Sequence, residues 1–292
     1  MNRHSTGVPG LDQLLGGGLL PGTLTVVLGA TGIGKTQLGI SYSHQGQQQE
    51  DRPGLIFDLS SRGDSQNHGD YARRLCDWSL KEMTSEAKWT PEGFYGEQAG
   101  LGDYLHLFNY SGRRVTRQDV DYDLWHDWQS ELNAKLQHAI AFMYGGFVQG
   151  ARRVVVDGIE PVDRPHDSIQ FNLFEYVYHQ IIRKDPEWVA RDLFRQSYRS
   201  VSQLASENRY DEQSISCLLL YTAHQVMLDE MISRPLDEGD VISNANTLIL
   251  MGKVRDGNKV GRALHIAKHR GSACDESIVP FQIGQNGLEL LS

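Results

Sequence analysis

Cysteine is scarce in this 292-residue chain, and its three copies lie far apart: Cys76, Cys217 and Cys274 form no CxxC pair. That excludes the usual zinc-ligand spacings and a disulfide framework. No apolar run approaches the roughly 18 residues that a membrane helix needs. The opening MNRHSTGVPG lacks the apolar core of a secretory leader, so a cytoplasmic setting without a membrane partner is expected. Positive charge is also in short supply. Lys and Arg number 28 against 37 Asp and Glu, a net charge of −9. Proteins that coat nucleic acid carry basic patches, because neutralising phosphates supplies most of the non-specific affinity. Here the basic residues gather only in GRRVTR (112–117), ARRVVV (151–156) and KVRDGNKVGR (253–262). DNA binding is therefore disfavoured.

What the chain does contain is a repeated alternation of short apolar runs and helical stretches. LTVVL (24–28) is followed by a glycine loop, then by TQLGISYSHQG, which reads as a helix and fades into the polar tract QGQQQEDRPG. Further strands are predicted at GLIFDLS (54–60), YLHLFNY (104–110), RRVVVDG (152–158), SCLLLYTAHQ (216–225) and ANTLILMGKV (245–254). Trp125, Trp128, Leu132, Leu136, Ile140, Met143 and Phe147 recur at three- and four-residue steps, an amphipathic helix over 125–149. Aliphatic strands with helices between them imply a parallel sheet covered on both faces. The end differs. TLILMGKVRDGNKVGRALHIAKHRG is two strand patterns around Asp256-Gly257, a hairpin signal, and VPFQIGQNGLELL looks like a second hairpin. The segment 168–200 reads as two helices. With no Pro- or Ser-rich linker and no internal repeat, one α/β domain over 1–292 is expected.

Gly29-Ala30-Thr31-Gly32-Ile33-Gly34-Lys35-Thr36 fits G-x-x-x-x-G-K-[ST]. Glycines let the backbone turn a row of N–H groups onto phosphate oxygens, and the following helix points its positive end at the same anion. Lys35 would reach the β- and γ-phosphates, and the Thr36 hydroxyl would join a Mg²⁺. The expected binding set runs from Gly29 through Thr36 to Gln37. A chance match in a chain this long is about one in a hundred, and this one sits between a strand and a helix as it should. A metal–nucleotide site also needs a carboxylate at the end of a neighbouring strand. VVVDG supplies Asp157, so Thr36 and Asp157 form the expected metal side.

At this point the sequence resembles the RecA superfamily, most closely its KaiC-like branch. The likeness lies in STGVPGLDQLLGGGLLPGTLTVVLGATGIGKTQLG, ARRVVVDGIEP, LLLYTAHQ and ANTLILMGKV…GRALHIAKHRGS…VPFQIGQNGLEL. Residues 62–103 and 161–215 diverge. The resemblance implies a RecA-like P-loop NTPase core, a mainly parallel sheet flanked by helices with antiparallel C-terminal hairpins. It also implies ATP with Mg²⁺ held between subunits of a ring or filament. The family's K-x-R, which reaches a neighbour's ATP, would be Lys268 and Arg270. His224 and Gln225 fall where relatives often sense the γ-phosphate, although polar residues at a strand's exposed end would look the same. An additional protein partner could use the divergent segments.

One position departs from the family pattern. The strand after the phosphate-loop helix ordinarily ends in a glutamate thought to orient and deprotonate the attacking water. Here that place falls on Ser60, or on Ser60 and Ser61. A serine hydroxyl cannot accept a proton usefully near pH 7. Asp58, two residues back, would sit about 6–7 Å from the place. Asp64 lies in the following loop, and Glu160 reads best as a surface residue. A slow ATPase is expected. A nucleotide-controlled scaffold is the alternative, with a DNA-binding recombinase and a small-molecule kinase further behind.

Overall fold

Valine, isoleucine and leucine dominate the six runs expected to be strands, and they build the parallel side, from the β3 edge to β6, of a nine-stranded sheet ordered β3-β2-β4-β5-β1-β6-β7-β8-β9. The computed structural model describes residues 3–60, 67–83, 89–96, 101–108, 122–160, 168–234 and 241–291, with the side chains of 122–134, 169 and 241 outside that description. The strands are β1 (Leu24–Gly29), β2 (Leu55–Asp58), β3 (Tyr104–His106), β4 (Arg153–Ile159), β5 (Ser216–Thr222) and β6 (Thr247–Asp256), all parallel to their neighbours in this set. The last three, β7 (Lys259–His269), β8 (Val279–Gly284) and β9 (Gly287–Leu290), pair antiparallel. The fold is thus the RecA-like α/β architecture, with the two C-terminal hairpins where the turn signals put them.

Because side chains alternate across a strand, β1 divides itself between two cores. Val26 and Leu28 face one, and Val27 faces the other. Helices α1 (Pro9–Leu14), α2 (Lys35–His44), a short α3 (Gly46–Gln49) and α4 (His68–Cys76) follow in order, with Leu11, Leu38, Ile40 and Ala72 packing on the Val27 side. The opposite face is covered by α5 (Pro91–Tyr95), α6 (Tyr122–Val148), α7 (Ile169–Val177), α8 (Pro186–Phe194) and α9 (Tyr198–Glu207). There Phe94, Tyr144 and Phe194 meet edge to face at 5.4–6.3 Å between ring centres. The divergent segment 161–215 thus contributes to this second core.

Several boundaries differ from the sequence expectation. The third strand stops at His106; Asn109 and Tyr110, like the run 112–117, lie outside the described residues. The region 168–200 contains the two expected helices, α7 and α8, and at Tyr198 the start of a third, α9, which runs on to Glu207. Asp185 caps the Glu187 N–H and Pro186 starts α8, while Arg195 takes φ +47 and separates α8 from α9. A π turn at Tyr178–Ile182 ends α7. None of the described helices is long and apolar enough to cross a membrane.

The run ARRVVV does not make a basic surface. Arg153 is wholly buried, with its guanidinium on Glu50 at 2.8 and 2.9 Å, on the carbonyls of Ser5 and Tyr42, and 4.9 Å above the Tyr42 ring. Arg152 folds back onto the Phe147 and Ala151 carbonyls. Arg153 ties the N-terminal segment, α2 and α3 to β4. Replacing it would strand a mostly buried carboxylate and two carbonyls. Arg153→Met is therefore expected to cost about 3–5 kcal/mol, measured from urea denaturation, and Arg153→Met with Glu50→Gln should recover part of the loss.

Candidate nucleotide site

The loop opens where β1 stops at Gly29 and closes where α2 begins at Lys35. Gly34 provides the turn, with φ +117, and an added Cβ would lie 2.9 Å from Ile283 Cδ1 of β8. Only glycine permits both the left-handed backbone and that approach of the hairpin. No side chain caps α2, so the N–H groups of its first turn face the loop as donors for an anion. Thr31 and Gly32 are exposed at the rim, while Ala30, Ile33 and Gln37 are buried and anchor the loop to the core.

Lys35 folds into this loop, donating from Nζ to the carbonyls of Gly29 and Ala30 at 2.9 Å each. Burial lowers its pKa to about 8, against a partial upward pull from Asp157. Neutral carbonyls compensate an ammonium poorly. A phosphate would give it the charged partner that it lacks.

Asp157 stands at the carboxyl end of β4, beside a register shift in the β4–β5 pairing that spans Val156 to Ile159. Its Oδ2 accepts from the Thr36 hydroxyl at 2.8 Å, and its Oδ1 from the Gly158 N–H at 2.7 Å. The hydroxyl and the carboxylate expected to share a metal thus face each other across one hydrogen bond. A Mg²⁺ fits this donor set, since hard oxygen ligands from hydroxyl, carboxylate, water and phosphate are what it takes. Among the described residues no three His, Cys, Asp or Glu side chains are arranged to hold a metal by themselves, so phosphate oxygens would have to complete its shell.

A second carboxylate lies beside the first. Asp58 ends β2 in register with Asp157, and both are almost completely buried. His68, the first residue of α4, is wedged between them: Nε2 is 3.1 Å from Asp157 Oδ2, and Nδ1 is 3.4 Å from Asp58 Oδ2. The second contact is a charge contact whose geometry falls short of an aligned hydrogen bond. Burial works against the imidazolium, but the hydrogen bond and charge of Asp157, with Asp58 behind, outweigh it and raise the His68 pKa. Burial would likewise raise Asp157, yet His68 and Thr36 hold it below the ordinary carboxylate value. The Tyr104 hydroxyl donates to Asp58 Oδ2 at 2.7 Å. The sequence reading missed His68 and Tyr104. Only the i, i+4 pairing of His68 with Ala72 on the buried face of α4 could have pointed to the first.

Ser60 lies just beyond β2. Its N–H donates to Asp58 Oδ1 at 2.8 Å, and His106 Nε2 contacts its carbonyl at 2.9 Å. Asp58 therefore turns forward to brace Ser60 rather than standing idle further back along the strand. Neither nitrogen of His68 is open to a water proton, because each faces a carboxylate. Gln170 on α7 stitches the strand ends together, donating to the carbonyls of Leu59 and Gly158 at 2.6 and 3.0 Å and accepting from the Glu160 N–H at 3.2 Å. Ser61 and Asp64 lie outside the described residues.

His224 and Gln225 leave the sheet just after β5, whose Thr222 is in register with Gly29. They therefore follow directly on the strand position that neighbours the first residue of the loop. Lys268 and Arg270 are elsewhere. They end β7, where His269 is in register with Thr247, which is in turn in register with Thr25 at the start of β1. Three or more residues of β1 separate their register from Gly29, about 10 Å or more. Lys268 donates to the Ser243 carbonyl at 2.5 Å, and Arg270 is exposed. They cannot serve the loop of their own chain.

A family model described as the KaiC ATPase matches residues 4–179, more than half of the chain. The chain belongs to the KaiC ATPase family. Among KaiC relatives, the circadian clock oscillator protein KaiC of Picosynechococcus sp. is 23% identical over 286 residues, covering 97% of this chain and 43% of that protein. The circadian clock protein KaiC2 of Synechocystis sp. is 24% identical over 288 residues, covering 98% of this chain and 39% of its own length. The chain spans less than half the length of the curated KaiC relatives it matches.

Gly158 is the backbone constraint on this KaiC-type site. It has φ +87, and an added Cβ would stand 2.2 Å from the Ser60 nitrogen. Gly158→Ala must push β2 and β4 apart where Asp58 and Asp157 meet. The expected loss is more than about 2 kcal/mol, read from thermal or urea unfolding, whereas Gly150→Ala, which also has positive φ but open space around it, should cost less.

Proposed function

We infer that the chain binds Mg²⁺-ATP in the loop Gly29–Gln37 and hydrolyses it slowly, in an assembly where Lys268 and Arg270 of one copy complete the site of the next. The observation that carries the reading is the Thr36–Asp157 hydrogen bond beside a buried Lys35 whose Nζ donates to two loop carbonyls. Lys35, Thr36 and Asp157 would hold the phosphates and the metal, and the metal would neutralise charge developing on the phosphoryl oxygens. Supporting the shared site, Lys268 and Arg270 lie at the far end of their own sheet, where only another subunit's nucleotide could meet them. The expected partner is thus a second copy of the chain.

Slow turnover follows from the described acids around the loop. Asp157 faces the metal side, Asp58 is committed to Ser60, Tyr104 and His68, and Ser60 itself brings no carboxylate. General-base assistance is worth about 10²–10⁴ in rate, so positioning and charge alone leave residual hydrolysis. The same observation favours, as a second reading, a scaffold for which ATP is chiefly a structural ligand.

Millimolar Mg²⁺-ATP should raise the melting temperature of the wild type by mass action. Lys35→Ala should abolish the shift and Thr36→Ala should remove its metal dependence; an unshifted wild type refutes nucleotide binding. Ser60→Glu should raise turnover without tightening ATP. If Glu160→Ala or Asp64→Ala abolishes turnover instead, that residue is the base.

For the shared site, mixing Lys35→Ala with Arg270→Ala subunits should restore part of the activity that each has lost. A wild type that stays monomeric in light scattering with and without ATP would count against it.

A further inference from the structure

Nucleotide and metal make no use of a row of arginines on the divergent helices. Arg191, Arg195 and Arg199 recur at four-residue steps across the junction of α8 and α9, and all three are exposed. With Gln196 and Tyr198 they line a cleft of about 670 Å³. Like charges at this spacing repel, and the acids of α8 that could offset them are already engaged. Glu187 accepts from Arg191 at 2.6 Å and from the Tyr198 hydroxyl at 3.1 Å, and Asp192 accepts from Lys184 at 2.6 Å. Arg195 and Arg199 have no ion pair and donate no side-chain hydrogen bond among the described residues.

Two further observations mark the cleft. The Arg191 guanidinium lies 4.8 Å from the centre of the Trp188 ring and 5.2 Å from that of Tyr198, and Trp188 is 55% exposed. An aromatic platform therefore stands beside the unpaired cations. Arg195 holds φ +47 and ψ −113, a conformation that glycine adopts freely and that strains a residue with a Cβ. An arginine without a partner thus occupies a place where the backbone alone would favour glycine.

We propose that this cleft docks an acidic peptide segment of a partner protein, with carboxylates on Arg195 and Arg199 and an apolar side chain against Trp188. Guanidinium forks pair bidentately with carboxylates, Arg clusters are a recurring means of reading acidic motifs, and Arg, Trp and Tyr supply most of the energy at protein interfaces. Other anions fit less well. A free phosphate is best held in an enclosed cradle of backbone N–H groups, whereas every arginine here stands in solvent. A nucleic-acid strand takes its affinity from a run of phosphate contacts, and two unpaired guanidiniums flanked by Glu187 and Asp192 offer few.

The test is fluorescence anisotropy of a fluorescein-labelled peptide, six glutamates around a central leucine, titrated with the full chain at about 50 mM salt, where surface charge is little screened. Arg199→Glu should weaken binding at least about ten-fold, the scale of one lost charge-assisted hydrogen bond, and Trp188→Ala should weaken it too. Arg255→Glu makes the same charge change on the exposed β6–β7 hairpin and should leave binding within about two-fold, because a distant exposed charge is screened. Arg195→Gly should lose affinity while the melting temperature holds or rises, since glycine relieves the backbone; an Arg195 that serves only the fold predicts the reverse, binding kept and stability lost. The proposal is overturned by a wild type that leaves the anisotropy unchanged, by equal losses in Arg199→Glu and Arg255→Glu, or by oligothymidylate or inorganic phosphate outcompeting the peptide. The Mg²⁺-ATP shift in melting temperature should be the same in Arg199→Glu as in the wild type, so failure of the cleft and failure of the nucleotide reading are told apart.

Discussion

Asp58 and Asp157 share a register position on neighbouring parallel strands, and the surroundings of the site are arranged around that proximity. Two buried negative charges at strand spacing would force the strands apart or one of the acids to take a proton. His68 offsets the repulsion from above, Tyr104 and the Ser60 N–H take the remaining oxygens of Asp58, and Thr36 and the Gly158 N–H take those of Asp157. Four separate segments, α2, α4, β2 with its extension, and β3, are therefore tied to the end of β4.

The same network answers why the place of the usual glutamate can hold Ser60. The chain beyond β2 runs against Gly158, whose missing side chain admits the Ser60 backbone, and Asp58 holds it there. Ser60 is buried, with backbone groups already engaged on both sides. The strand end where the family resemblance places a glutamate here carries a serine whose N–H is bonded to Asp58, which is the ground for the slow turnover proposed above.

Distance organises the rest of the molecule. The phosphate loop, Asp157 and the His224–Gln225 pair cluster at the carboxyl end of the parallel strands, where the crevices of α/β sheets bind ligands. Lys268 and Arg270 end an antiparallel strand and so point the other way along the sheet. The proposed head-to-tail association would bring these two ends together, one copy supplying the cations and the next the loop. The divergent helices α7–α9 cover one face of the sheet, and Gln170 ties α7 to the ends of β2 and β4.

The sequence by itself determined the loop, its lysine and threonine, the aspartate after three valines, and the alternation that makes a parallel sheet with terminal hairpins. These are legible because each is local: a glycine spacing, a strand period or a turn dipeptide carries its own physical cause within a few residues. It could not show that Arg153 is buried, that Asp58 turns toward Ser60, or that α9 starts at Tyr198 straight after the break at Arg195, since burial and such breaks depend on what packs against them. Above all it gave no sign of His68. That residue lies 89 positions from Asp157 and meets it only because α4 packs on α2 and delivers its first turn to the ends of β2 and β4. Tertiary structure decided the surroundings of the two acids, because the carboxylates meet only once the strands that carry them are side by side.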